Sequence, residues 1–258
     1  MTIWRRICVW CFATALLPLQ CVASGASRLS GADLAPAPAY DAGNGVPGRK
    51  GWALNAGKPE TFRNIAELLP TRRVPTSATA SPLTRAAKPL QLNYEFDGGR
   101  YSIEEFVRRT DTTGLLILKD NRILFEGYYL GSDEKDTFQS FSAGKSFVST
   151  LVGIAQADGL IKSIEDPVIR YLPEVKGSAY EHAKIRDVLQ MASGTSYSEE
   201  YTNPESDIAE LTRIMEDGQG GLYDFARSFK SLRPPGTQFY YASADTEILG
   251  AQIGRAHV

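Results

Sequence analysis

After residue 21 the chain has no cysteine; its three, Cys8, Cys11 and Cys21, crowd the amino terminus. A disulfide scaffold, a thiolate metal site and a cysteine nucleophile are thereby excluded for everything downstream. Histidine is nearly as scarce, with only His182 and His257. Neither stands close to another candidate ligand, so no metal and no cofactor are expected. A Ser-His-Asp triad would have to recruit His182 from the polar stretch Tyr180-Glu181-His182-Ala183, where a surface histidine is the plainer reading. Basic stripes are also lacking, and nucleic acid is not expected as a partner. No glycine-rich phosphate loop follows a strand; Gly218 to Gly221 lacks the lysine and the spacing and reads as a plain turn. No internal repeat is visible.

Long apolar runs are absent except at the start. Arg5 and Arg6 precede the apolar stretch Ile7 to Leu19, broken by Thr14, and small residues follow at Ala23, Ser24, Gly25 and Ala26. This pattern predicts a secretion signal over residues 1–23, cleaved near Ala23, and a secreted, periplasmic protein. The run is too short to span a bilayer comfortably, so no stable membrane span is expected after cleavage; a retained anchor is the alternative. Lipid attachment at Cys21 is disfavoured by Leu19-Gln20, where a small residue is needed.

What is present is globular: 43% of residues are hydrophobic and 10% aromatic, enough for a packed core. Residues 24–90 differ, being rich in Ala, Pro, Gly and Ser, as in Ala35-Pro36-Ala37-Pro38, and read as an extension. One island, Phe62 to Leu69, has helical spacing and is expected to pack on the main domain, residues 91–258. There, Gly114 to Lys119 and Ile123 to Tyr129, joined by Asp120-Asn121-Arg122, predict a β-hairpin. A helix beginning near Ser142 is predicted to stop at Asp158-Gly159. Further helices are expected over Ile185 to Met191, Ile208 to Met215 and Tyr223 to Phe229, after a short turn opened by Asp166-Pro167.

The segment Ser142-Ala143-Gly144-Lys145, at the head of an apolar run from Ser146 to Ala155, carries the chemistry. Residues three apart share a helix face, so the Lys145 ammonium can reach the Ser142 hydroxyl. Unpaired N–H groups at a helix start favour developing negative charge. The spacing alone is weak evidence, because Ser132-Asp133-Glu134-Lys135 repeats it in a polar stretch that reads as a solvated turn. A second constellation, Pro234-Pro235-Gly236 leading to Tyr240-Tyr241-Ala242-Ser243, adds a tyrosine able to relay the serine proton. Taken alone, the tyrosine pair reads as core aromatics.

Phe141-Ser142-Ala143-Gly144-Lys145-Ser146-Phe147, then Leu189-Gln190-Met191-Ala192-Ser193-Gly194, then Pro234-Pro235-Gly236-Thr237 with Tyr241-Ala242-Ser243-Ala244-Asp245-Thr246, resemble in content and order the class C β-lactamase-like serine hydrolases. The branch most resembled is the 6-aminohexanoate-dimer hydrolase group, over roughly Asn93 to Gly250. The resemblance implies an α+β fold: an antiparallel sheet flanked by helices, with a helical subdomain. By position it makes Ser142 the nucleophile, Lys145 its base partner, Tyr241 the proton relay and the Ser142 backbone N–H half of an oxyanion hole. Ser243, where many relatives carry Asn, is a candidate for lining the site. Relatives continue past this block with a helix, further strands and a Lys- or His-Thr-Gly-like strand that borders the site. None of these is expected here; residues 252–258 read as artefactual, and the chain as written is expected to be inactive.

The implied activity is hydrolysis of a small-molecule ester, amide or β-lactam through an acyl-enzyme. Which of these, or a D-alanyl peptide, is not legible, nor is the oligomeric state. The alternatives are a noncatalytic penicillin-binding-like or cell-wall-binding module of the same fold, and an envelope interaction protein led by the Pro/Ala arm.

Overall fold

A computed structural model describes residues 59–68, 74, 79, 81–88, 90–217 and 221–256. The predicted signal, most of the Pro/Ala-rich extension, Gly218 to Gly220 and His257 lie outside them. The described residues fall into two compact units, 74–136 in one and 59–68 with 137–256 in the other. The predicted island opens the second unit as two short helices, α1 (Pro59–Arg63) and α2 (Ile65–Leu68). Asn64 separates them and its side-chain amide donates to the Glu60 carbonyl at 2.9 Å, a local bond that competes with helix continuation.

In the first unit, β1 (Thr84–Arg85) precedes a hairpin of β2 (Asn93–Phe96) and β3 (Gly99–Ser102). The hairpin turns on Asp97-Gly98, at φ 48° and 72°, a pair suited to a two-residue turn with both residues left-handed. Ser102 then caps α3 (Ile103–Arg109): the Glu105 N–H donates to its hydroxyl while the Ser102 N–H donates to the Glu105 carboxylate. The predicted hairpin follows as β4 (Gly114–Lys119) and β5 (Arg122–Tyr128), joined by Asp120 and Asn121 at φ 50° and 57°. The β2–β3 pair forms its own two-stranded sheet. The larger sheet has the order β1-β5-β4, with β1 parallel to β5 and β4 antiparallel to it. It is therefore mixed rather than wholly antiparallel, because the chain between β1 and β5 is long enough to form a crossover. Ile103, Val107 and Tyr129 are the buried centre of this unit.

The second unit is helical. Its first long helix, α4 (Gly144–Ala157), starts two residues after Ser142 and is followed, past its Asp158 cap, by Gly159 at φ 77°. Val152 and Ala155 are fully buried on one side, while Phe147, Leu151 and Ile154 lie exposed along another. There follow α5 (Ile185–Leu189), α6 (Asp207–Asp217), α7 (Leu222–Ala226) and α8 (Ser243–Ala256). The helix predicted to reach Met191 stops at Leu189, since Met191 adopts φ 53°, outside any right-handed helix. The helix expected to be missing after the Tyr-x-Ser block is present: α8 buries Ala244, Ile248 and Gln252 at four-residue spacing against the core. No described helix is long and apolar enough to cross a membrane.

Candidate active site

Ser142 is the middle residue of a single 3-10 turn, Phe141–Ala143, that runs directly into α4. The turn is entered through Phe141 at φ 43°, a left-handed conformation that costs a bulky residue of order 1–3 kcal/mol. Tertiary contacts hold it. The Phe141 ring stacks on Phe62 of α1 with centroids 6.1 Å apart, and Phe62 also meets Phe138 at 6.0 Å. The Gln139 N–H donates to the Phe62 carbonyl at 3.0 Å, so the predicted island does pack on the main domain, and it does so beside Ser142.

The Lys145 ammonium donates to Ser142 Oγ at 3.2 Å. The same nitrogen lies 5.4 Å from the centroid of the Tyr241 ring, within reach of an attractive cation–π contact. Ser142 is exposed, whereas Lys145 and Tyr241 are half-buried. Among the described residues, no hydrogen bond engages the Ser142 backbone N–H. The three residues singled out from sequence thus converge on one spot.

Tyr241 reaches that spot because its segment lies along residues 191–196. The N–H groups of Leu232, Gly236 and Tyr240 donate to the carbonyls of Gly194, Ala192 and Met191 at 2.8, 2.8 and 2.7 Å. Gly194, at φ 78°, allows the approach, for a Cβ there would stand 2.2 Å from the Arg233 carbonyl oxygen. Gly236, at φ 76°, turns over the Asp187 carboxylate, which caps α5 through the Lys184 N–H. The Leu189 to Gly194 block is therefore the strip on which the Pro-Pro-Gly segment is laid.

Ser243 does not offer its hydroxyl to the site: Oγ donates to Glu199 Oε1 and the backbone N–H to Glu199 Oε2, both at 2.7 Å. Two residues on, Asp245 is fully buried and accepts from Ser193 Oγ at 2.7 Å and Tyr180 OH at 3.0 Å. Among the described residues, its other oxygen, Oδ2, has no hydrogen-bond partner. Burial pushes this carboxyl up to about 7, against the lowering effect of the two hydroxyls. Burial also raises the Glu247 carboxyl, and the Lys145 ammonium opposes that rise.

Sequence reasoning missed Glu199, Glu247 and the Asp245 cluster. Only Asp245, inside the third block, carried any signal. Lys135 is exposed and Ser132 half-buried in the expected turn, where the Lys135 N–H donates to Asp133 Oδ1 at 2.7 Å. His182 is exposed. Among the described residues, no group of His, Cys, Asp and Glu side chains is placed to hold a metal ion.

A serine oxygen in contact with a lysine nitrogen, with a phenol against the same nitrogen, can lose its proton to the lysine and attack a carbonyl. The chain is similar to 6-aminohexanoate-dimer hydrolase of Paenarthrobacter ureafaciens, 29% identical over 226 residues that cover 85% of this chain and 56% of that protein. It is also similar to a beta-lactamase of Pseudomonas fluorescens, 23% identical over 158 residues covering 58% of this chain and 40% of that one. The chain spans about half the length of these curated relatives. A solved structure from Bacillus anthracis, named for 6-aminohexanoate-dimer hydrolase, shares the fold with a TM-score of 0.69 and 20% identity, covering 81% of this chain and 57% of that one. The beta-lactamase family model matches residues 102–257, which take in Ser142, Lys145, Tyr241 and the strip that carries Tyr241, and the chain belongs to the beta-lactamase family.

Proposed function

We propose that the protein is an exported serine hydrolase that opens an ester, amide or β-lactam bond through an acyl-enzyme on Ser142. The observation that carries this reading is the contact of one nitrogen, Lys145 Nζ, with both Ser142 Oγ at 3.2 Å and the Tyr241 ring. In acylation, Lys145 in its neutral form takes the Oγ proton as Oγ attacks the substrate carbonyl. The Ser142 N–H, in the 3-10 turn that leads into α4, donates to the developing oxyanion, a kind of contact worth roughly a hundredfold or more in rate. Tyr241 passes the proton to the leaving oxygen or nitrogen, the task a histidine performs elsewhere. Water then attacks the acyl group and Ser142 recovers its proton.

The names of the curated relatives, a dimer hydrolase and a beta-lactamase, fit acyl transfer at an amide. The test is turnover of a p-nitrophenyl ester, a linear amide and a β-lactam by purified protein. Hydrolysis of at least one, abolished by Ser142→Ala with unchanged circular dichroism, supports the proposal. Turnover within about tenfold of wild type in that variant excludes Ser142 as nucleophile. Export is tested by N-terminal sequencing of the mature protein, with cleavage expected near Ala23.

A further inference from the structure

Tyr241 must hold its ring against Lys145, and among the described residues no hydrogen bond of its own hydroxyl is seen to anchor it. The chain around it supplies the anchor. On the N-terminal side, the Tyr240 N–H donates to the Met191 carbonyl at 2.7 Å. On the C-terminal side, after the fully buried Ala242, Ser243 is fixed through both its N–H and its hydroxyl to the two oxygens of Glu199, each at 2.7 Å. The first of these clamps is backbone to backbone, whereas the second depends on a single side chain.

Glu199 suits that task. The Ser243 N–H is one of the donors that a helix start leaves without an intrahelical acceptor. A carboxylate placed there also meets the positive end of α8. Its third bond comes from Tyr201, whose hydroxyl donates to Glu199 Oε1 at 2.6 Å. Three donors converge on one carboxylate: the hydroxyl of exposed Tyr201, and the N–H and hydroxyl of Ser243, a nearly buried residue at the N-terminus of α8. Charge-assisted bonds of this kind are stronger than neutral ones and fix geometry as well as adding energy.

We infer that Glu199 is a positioning residue for catalysis: by tying Ser243 down, it sets where the Tyr241 ring stands relative to Lys145 and Ser142. The inference rests on the Ser142-Lys145-Tyr241 reading. Among the described residues, no hydrogen bond or ion pair joins Glu199 to Ser142 or Lys145, so its effect passes through Tyr241.

The experiment is a double-mutant cycle read in the burst rate of p-nitrophenyl ester acylation, using Glu199→Gln, Tyr241→Phe and the double variant. A glutamine cannot accept all three bonds, and misplacement by about 1 Å typically costs roughly a hundredfold, so Glu199→Gln should slow acylation about tenfold or more. The substrate dissociation constant, read from the concentration dependence of the burst rate, should stay within about twofold, because substrate contacts are unchanged. The double variant should be no slower than Tyr241→Phe alone. Losses that multiply, or a Glu199→Gln rate within about twofold of wild type, overturn the inference.

Should Glu199→Gln fail to fold, Ser243→Ala removes one bond and keeps the backbone one; its smaller loss must likewise vanish in the Tyr241→Phe background. A second readout does not depend on turnover: 3-fluorotyrosine at position 241 should show a shifted or broadened fluorine resonance in Glu199→Gln, and an unchanged resonance overturns the inference. If Tyr241→Phe is as active as wild type, the relay role of Tyr241 fails, and the fluorine readout alone then decides whether Glu199 positions the ring.

Discussion

Replacing Asp245 with asparagine should make the protein more stable at pH 8 than at pH 4.5, relative to wild type. The Asp245 carboxyl is fully buried, accepts from Ser193 and Tyr180, and leaves Oδ2 without a partner. Burial raises it from an ordinary 3.8 to about 7. At about 1.4 kcal/mol per decade, that rise opposes the charged form in the folded state by roughly 4 kcal/mol. The sign follows from proton counts. Near pH 4 and below, folded and unfolded chains both hold the proton and no penalty applies. Between about 4 and 7 the unfolded chain releases it while the folded chain keeps it, so wild-type stability falls as pH rises. Above about 7 the penalty is complete.

Asparagine keeps the acceptor for both hydroxyls and never ionises. Its amide group, in the place of Oδ2, has no partner and costs about 1–3 kcal/mol at every pH. The informative quantity is therefore the change in the difference, not its absolute value. Urea or thermal unfolding from pH 4.5 to 8.5 should show the variant gaining on wild type by roughly 2–4 kcal/mol across the range. In a domain of this size each kcal/mol appears as about 2–4 °C in Tm. A difference between variant and wild type that stays constant with pH would refute the idea that Asp245 carries a displaced proton in the folded state.

Lys145→Ala and Tyr241→Phe should each impair acylation, and the double variant should fall far short of the product of the two losses; independent, multiplying losses in rate measurements would make Tyr241 a packing residue. Gly194→Ala forces a methyl group within 2.2 Å of the Arg233 carbonyl at φ 78°, so it should destabilise by about 3 kcal/mol or more in urea unfolding; a loss under about 1 kcal/mol would mean the strip tolerates separation. Phe62→Ala removes the stack that holds Phe141 at φ 43°, at a stability cost of about 1–2 kcal/mol. It should slow acylation about tenfold by loosening the turn before Ser142, and an unchanged burst rate would contradict that role.

The parts of the site that sequence disclosed were those with local geometry. Ser142 and Lys145 are three residues apart, and a helix start alone brings them together. Tyr241 was found through block order, for which the 191–196 strip supplies the reason: the middle block is the surface on which the third is laid. The Gly114 to Tyr128 hairpin was legible from its apolar runs. The Asp97-Gly98 hairpin and the Ser102 to Glu105 capping box carried equally plain signals, but short polar strands without an apolar run hid them. Helix α8 is not legible locally, because its first turn coincides with the Tyr-x-Ser block and its apolar spacing is short. Glu199 looks like any surface acid in Ser198-Glu199-Glu200-Tyr201, and the Tyr180–Asp245 bond joins residues 65 positions apart. No periodicity encodes such pairs; only the packing of α8 on the preceding loops creates them.

The central claim is that Ser142 is a nucleophile activated by its neighbours. Its most direct test is mass spectrometry of the purified protein after exposure to a fluorophosphonate. The expected result is a single phosphonylated site at Ser142, within the tryptic peptide from Asp136 to Lys145, lost in Lys145→Ala and reduced by a competing ester substrate. Labelling that spares Ser142, or that persists unchanged without the Lys145 amine, would contradict the account.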